Sequence, residues 1–174
     1  MTDPWVMWPA KLSPHFQTSE LARSSKAEAL GIPNEPPLEL LPNALRLVEL
    51  AELARAALCE EAGRDVRMVL SSGYRSPALN AAVGGSGLNP GEKLSAHCDF
   101  RAIDFHPEGT NLATAFEVLR RGMVPFDKLI FEIDSRGASW LHLQVARAEE
   151  APARRVLRGV KAPNSSSYRE IPRV

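Results

Sequence analysis

KLSAHCDFRAIDFHPEGT, residues 93–110, holds two histidines, three carboxylates and a cysteine in eighteen positions. Its second half, FRAIDFH at 100–106, reads as a strand. Asp104 lies inside that strand between Ile103 and Phe105. A carboxylate there is costly to bury unless it is paired or holds a metal. The stretch is therefore either an ordinary strand with polar neighbours or one half of a metal site whose other half lies elsewhere.

Working outward, Asn111 to Arg121 forms an amphipathic helix with Leu112, Phe116, Val118 and Leu119 on its apolar side. FDKLIFEID and SWLHLQVA are two strands separated by SRGA, a hairpin pattern. Upstream, GGSGLNPGEK is a loop with four glycines, PALNAAV a brief helix opened by Pro77, and VRMVLSSGYRS a short strand running into a turn. Leu38 to Ala62 carries Leu41, Leu45, Val48, Ala51, Leu53 and Leu58 at helical spacing, with Gly63 as its stop. LSPHFQTSELARSSKAEALG holds one or two short helices, capped by Thr18 or Ser19 and by Ser24 or Ser25, with Gly31 as a stop. Helices, two strands, a helix and two more strands make an α+β domain with a small, mainly antiparallel sheet and flanking helices. The expected organisation is a leader at 1–37 packed on the core, a core at 38–148, and a polar, loosely ordered tail at 149–174.

Bulk properties narrow the function. The chain has 174 residues, which suits one domain, and 44% hydrophobic residues, enough for a core without disulfide staples. The 21 basic and 21 acidic residues balance without long runs of one sign, so the clustered basic face of a nucleic-acid binder is missing. The two cysteines, Cys59 and Cys98, make no disulfide framework. No apolar run approaches the ~20 residues of a membrane span. The start, MTDPWVMWPAKLSPHF, lacks the positive and apolar regions of a secretory signal. The expectation is a protein made in the cytoplasm, with no membrane insertion.

Four histidines can be weighed singly. His15, among aromatics, suits packing or capping. His106, at a strand end before Pro107, suits a surface position or a supporting role beside a site. His142 sits in WLHL, in mid-strand between leucines. A lone histidine in that setting is usually a satisfied core residue. With Asp104 in one strand and His97 seven residues before it, the three make an open three-ligand zinc set, with a water in the fourth place. A non-haem iron triad uses the same residue types. Its closer first spacing and its longer all-β barrel are not present here. Cys98 has no second cysteine nearby and reads as a small buried hydrophobe.

SSGYRSPALNAAVGGS, SAHCDFRAIDF and FDKLIFE…SWLHL, taken in order, resemble peptidase family M15, the zinc D-alanyl-D-alanine carboxypeptidases and L-alanyl-D-glutamate endopeptidases, and its small phage and prophage branch in particular. The likeness runs from about Leu12 to Val145. Ser95, His97, Ala102 and Asp104 match the motif Ser-x-His-x-x-Gly-x-Ala-x-Asp. The resemblance implies a Hedgehog/D-Ala-D-Ala carboxypeptidase-like fold and Zn2+ on His97, Asp104 and His142. It also implies a substrate carboxylate held by Arg75, with Tyr74 and Ser95 positioning the peptide or steadying the site. The implied substrate is the stem peptide of peptidoglycan, reached after release from the cell, with oligomeric state left open. Two positions depart from the pattern. Phe100 stands where the motif has glycine, which would alter the loop or narrow the cleft. Ser139 and Trp140 stand where members place an acid or a histidine before the last ligand. The general base then falls to Glu132, with Asp134 second and Asp127 third. The rival reading is a peptidase-like binding or assembly module of phage origin, without catalysis.

Overall fold

The structure, a computed structural model, describes residues 8–88, 91–162 and 166–172. The first seven residues of the leader, Asn89 and Pro90 of the glycine-rich loop, and residues 163–165 and 173–174 of the tail lie outside the described residues.

The helices follow in order as α1 Thr18–Ala22, α2 Ser25–Leu30, α3 Leu41–Ala62 (after a single 3-10 turn at Leu38–Leu40), α4 Pro77–Ala82 and α5 Leu112–Arg121. The strands are β1 Met68–Ser72, β2 Ala102–Pro107, β3 Lys128–Asp134, β4 Ser139–Gln144, β5 Arg155–Lys161 and β6 Ser167–Glu170. Their order in a single sheet is β1-β2-β4-β3-β5-β6. Every pairing is antiparallel except β3 with β5. This is the expected α+β architecture with a mostly antiparallel sheet.

Local chemistry accounts for the helix ends. Ser24 caps α2 by accepting from the Ala27 amide, Asn111 caps α5 by accepting from Ala113 and Thr114, and Gly63 ends α3. The buried stripe of α3 is Ala44, Leu47, Val48, Leu50, Ala51, Ala54 and Leu58, mostly at three-and-four spacing. Leu45 and Leu53, expected on the apolar face, fall off that stripe and are exposed. Packing prefers the alanines because α3 lies close against α5.

The expectation of a loosely ordered tail fails. Residues 155–161 add a parallel strand to the free edge of β3, and residues 167–170 pair with it. The backbone donors and acceptors of β3 would otherwise be left as an open edge. Val156 and Leu157 are buried although the surrounding sequence is polar.

Alternation gives the sheet two unlike faces. One carries Ile103, Leu143, Leu129 and Val156 in one row and Phe105, Leu141 and Phe131 in the next, and it packs under α5. The other carries Ser72, Asp104, His142, Ile130 and Leu157 in one row and Trp140, Glu132, Gly159 and Tyr168 in the next. The second face holds the chemistry.

Candidate metal centre

Asp104 and His142 face each other directly across β2 and β4. Directly opposed side chains on one face approach closely, and His142 Nδ1 lies 2.9 Å from Asp104 Oδ1. His97 comes from the turn that precedes β2. That turn is tied by Cys98 N–H to Ser95 O, Phe100 N–H to His97 O and Arg101 N–H to Ala96 O. It delivers His97 Nε2 to 3.4 Å from Asp104 Oδ1. All three residues are buried, and their ligand atoms lie within 4.8 Å of one another. Among the described residues they form the cluster of such side chains that could hold a metal.

The donor set fits a cation. His97 Nδ1 is 2.8 Å from the Gly73 carbonyl, which can only accept, so Nδ1 carries a proton. Burial, acting with Arg75 and His142 and against the charge of Asp104, lowers the His97 pKa to about 4, so the ring is neutral at ordinary pH. Nε2 then presents a lone pair to a carboxylate oxygen with no proton between them. A metal ion at that point satisfies both. The separations of 2.9 and 3.4 Å are near the roughly 3.4 Å edge of a tetrahedral zinc site. Burial also opposes ionisation of Asp104, but its two imidazole neighbours, His97 and His142, outweigh it and hold its pKa well below the ordinary range.

Arg75 Nη2 donates to Asp104 Oδ2 at 2.8 Å, and its Nε donates to Ser72 Oγ at 2.9 Å. The guanidinium expected on the substrate thus braces Asp104. Tyr74, read as a substrate contact, instead packs in the core against Phe100, 4% exposed. Ser95 is buried and accepts from the His97 amide at 3.4 Å, so it shapes the turn.

Phe100 keeps the backbone a motif glycine would have, at φ 54°. Its ring turns into the core against Trp8 and Tyr74, with ring centroids 5.5 Å away in each case. The cleft is not narrowed. The left-handed conformation costs a bulky residue roughly 1–3 kcal/mol, and full burial of the ring offsets it.

Of the three candidate bases, Asp134 accepts from the Arg136 and Ala138 amides in the β3–β4 turn, and Asp127 accepts from Gln144 and the Ala153 amide. Glu132 is buried on the site face, opposite Trp140 and diagonal to His142, about 7–8 Å away along the backbone. Cys98 stays outside the cluster, and burial pushes its thiol up to about 11. His15 binds Glu52 on the surface, and exposed His106 meets the Ser139 carbonyl.

The profile of the family described as Peptidase M15 matches residues 14–144, three quarters of the chain. The chain belongs to the Peptidase M15 family. Comparison with curated proteins gave no match. In this M15 chain the matched segment ends at Gln144, so β5 and β6 lie beyond it. The signals missed in the sequence are Gly73, whose carbonyl orients His97, and Tyr168, which reaches Glu132 from the tail. Gly73 had a readable cue in its place between strand and turn, and Tyr168 had none. Among the described residues, no helix is long and apolar enough to cross a membrane.

Proposed function

We propose that this M15 protein is a zinc-dependent peptidase that hydrolyses peptide bonds in the stem peptides of bacterial peptidoglycan. The observation that carries the reading is one sheet face holding the His97–Asp104–His142 trio in one row and the buried carboxylate of Glu132 in the next. Bound there, zinc would polarise the scissile carbonyl and acidify a coordinated water. Glu132 would take a proton from the water whose oxygen bonds the carbonyl carbon, and would deliver it to the leaving amine as the C–N bond breaks. Neutral His97 and ionised Asp104 are the protonation states that metal binding needs.

A cleft of about 610 Å³ borders the site at Ser72 and Arg75, and Arg23, Lys26, Arg67 and Lys161 also line it, with Glu20 as the acid among them. That cationic lining suits a peptide rich in carboxylates. With Nε and Nη2 of Arg75 engaged, a substrate carboxylate meets it through Nη1.

The test is release of new amino groups from purified peptidoglycan by folded, zinc-loaded protein. Release that Glu132→Ala abolishes while retaining zinc supports the reading. Loss of zinc in Glu132→Ala would make Glu132 a ligand and overturn its role as base. No release by the wild type refutes the peptidase and leaves the non-catalytic module.

A further inference from the structure

Tyr168 lies on β6, beyond the matched residues, yet its hydroxyl donates to Glu132 Oε1 at 2.8 Å. Glu132 stands opposite Gly159 on β5, and Gly159 stands opposite Tyr168. The hydrogen bond therefore crosses a whole strand, a span of roughly 10 Å between backbones. It is possible because the middle position is glycine. A Cβ on Gly159 would fall 2.2 Å from Tyr168 Cδ1 and 2.8 Å from its Cε1, so the ring occupies the place of a side chain. Acid, gap and phenol are thus matched within one row of the sheet. Nothing in the packing of the core requires that match, since Tyr168 is 43% exposed.

We propose that Tyr168 is the positioning residue of the Glu132 carboxylate, holding Oε1 so that Oε2 is the oxygen turned to the reacting water. The inference rests on the peptidase reading. A neutral donor orients a carboxylate without the charge compensation that lysine or arginine would bring. Burial, together with the charge and the hydrogen bond of Glu132, raises the Tyr168 pKa above its ordinary value, so the phenol remains a donor at any working pH.

Tyr168→Phe tests this, because it keeps the ring over Gly159 and removes only the hydroxyl. On a soluble stem peptide that the wild type cleaves, kcat should fall about tenfold to a hundredfold, with KM and the zinc affinity of the metal-free protein each within about twofold. A merely structural role would not split the parameters in that way. A second readout needs no activity. The chain has two tyrosines, so tyrosine labelled with carbon-13 at Cζ gives two resonances. The one missing in Tyr168→Phe belongs to Tyr168, and it should move in metal-free Glu132→Ala. A parental kcat in Tyr168→Phe, or a Tyr168 resonance indifferent to Glu132→Ala, overturns the inference alone. A wild type that cleaves nothing overturns the peptidase reading and this inference with it.

Discussion

The turn at residues 95–101 and the row running from Trp140 to Tyr168 hold their chemistry by different means. In the turn, His97 is fixed by neighbours in sequence and by the Gly73 carbonyl, and the strained backbone of Phe100 is anchored by a ring in the core. Asp104 joins it through a buried ion pair with Arg75. In the row, Glu132 is reached from 36 residues away by Tyr168 on an exposed edge strand. The proposed metal-binding half is thus coupled to the stability of the domain. The proposed base half leans on a hydrogen bond from an edge strand, and a smaller effect on folding is expected there.

The sharpest way to break this comparison is Asp104→Asn. It leaves the Arg75 guanidinium buried without its counter-charge. Urea denaturation of the metal-free protein should show a loss of roughly 3–5 kcal/mol, and competition with a chromophoric chelator should show zinc affinity falling more than about a hundredfold.

The pH dependence of the metal-free protein comes next. The His97 pKa is 6.5 in the unfolded chain and about 4 in the folded one. Between those values the unfolded state binds more protons, so stability is fully present above pH 6.5 and declines as pH falls to about 4. That window should remove about 3 kcal/mol, measured by denaturation at a series of pH values. Asp104 acts in the same direction further down, because its folded pKa lies well below 3.8. A flat profile between pH 6.5 and 4 would show that His97 is not buried neutral.

Phe100→Gly restores the residue the motif expects. Loss of the buried ring costs roughly 3–5 kcal/mol, and relief of the left-handed backbone returns about 1–2 kcal/mol. A net destabilisation of roughly 1–4 kcal/mol is expected in thermal or urea unfolding. Stabilisation instead would mean that the backbone strain, not the core packing, dominates at this position.

The smallest effect on stability belongs to the base half. Glu132→Gln should shift unfolding by less than about 1 kcal/mol and leave zinc affinity intact, while peptide hydrolysis falls about a hundredfold or more. A large stability loss in Glu132→Gln would erase the distinction between the halves.

Most of the candidate metal site was legible in the chain itself. Asp104 and His142 stand out because each interrupts an apolar strand, and a buried polar group in such a run needs a reason. The helices were legible from the cap at Ser24 or Ser25, the stop at Gly63 and the apolar period of Asn111 to Arg121. The faces of α3 were less so. Leu45 and Leu53 match the helical period in composition but not in phase, and packing on α5 selects the phase. Tyr74 and Arg75, adjacent in sequence, part company because one side chain enters the core and the other turns to Asp104.

The chain alone was enough for the fold class and for His97, Asp104 and His142 as candidate ligands, because periodicity and polar anomalies act over a few residues. Only the tertiary structure decided the order of the tail, the bracing of Asp104 by Arg75, and the reach of Tyr168 over Gly159 to Glu132. Those depend on strand register, which brings together residues tens of positions apart and leaves no local trace in a polar tail.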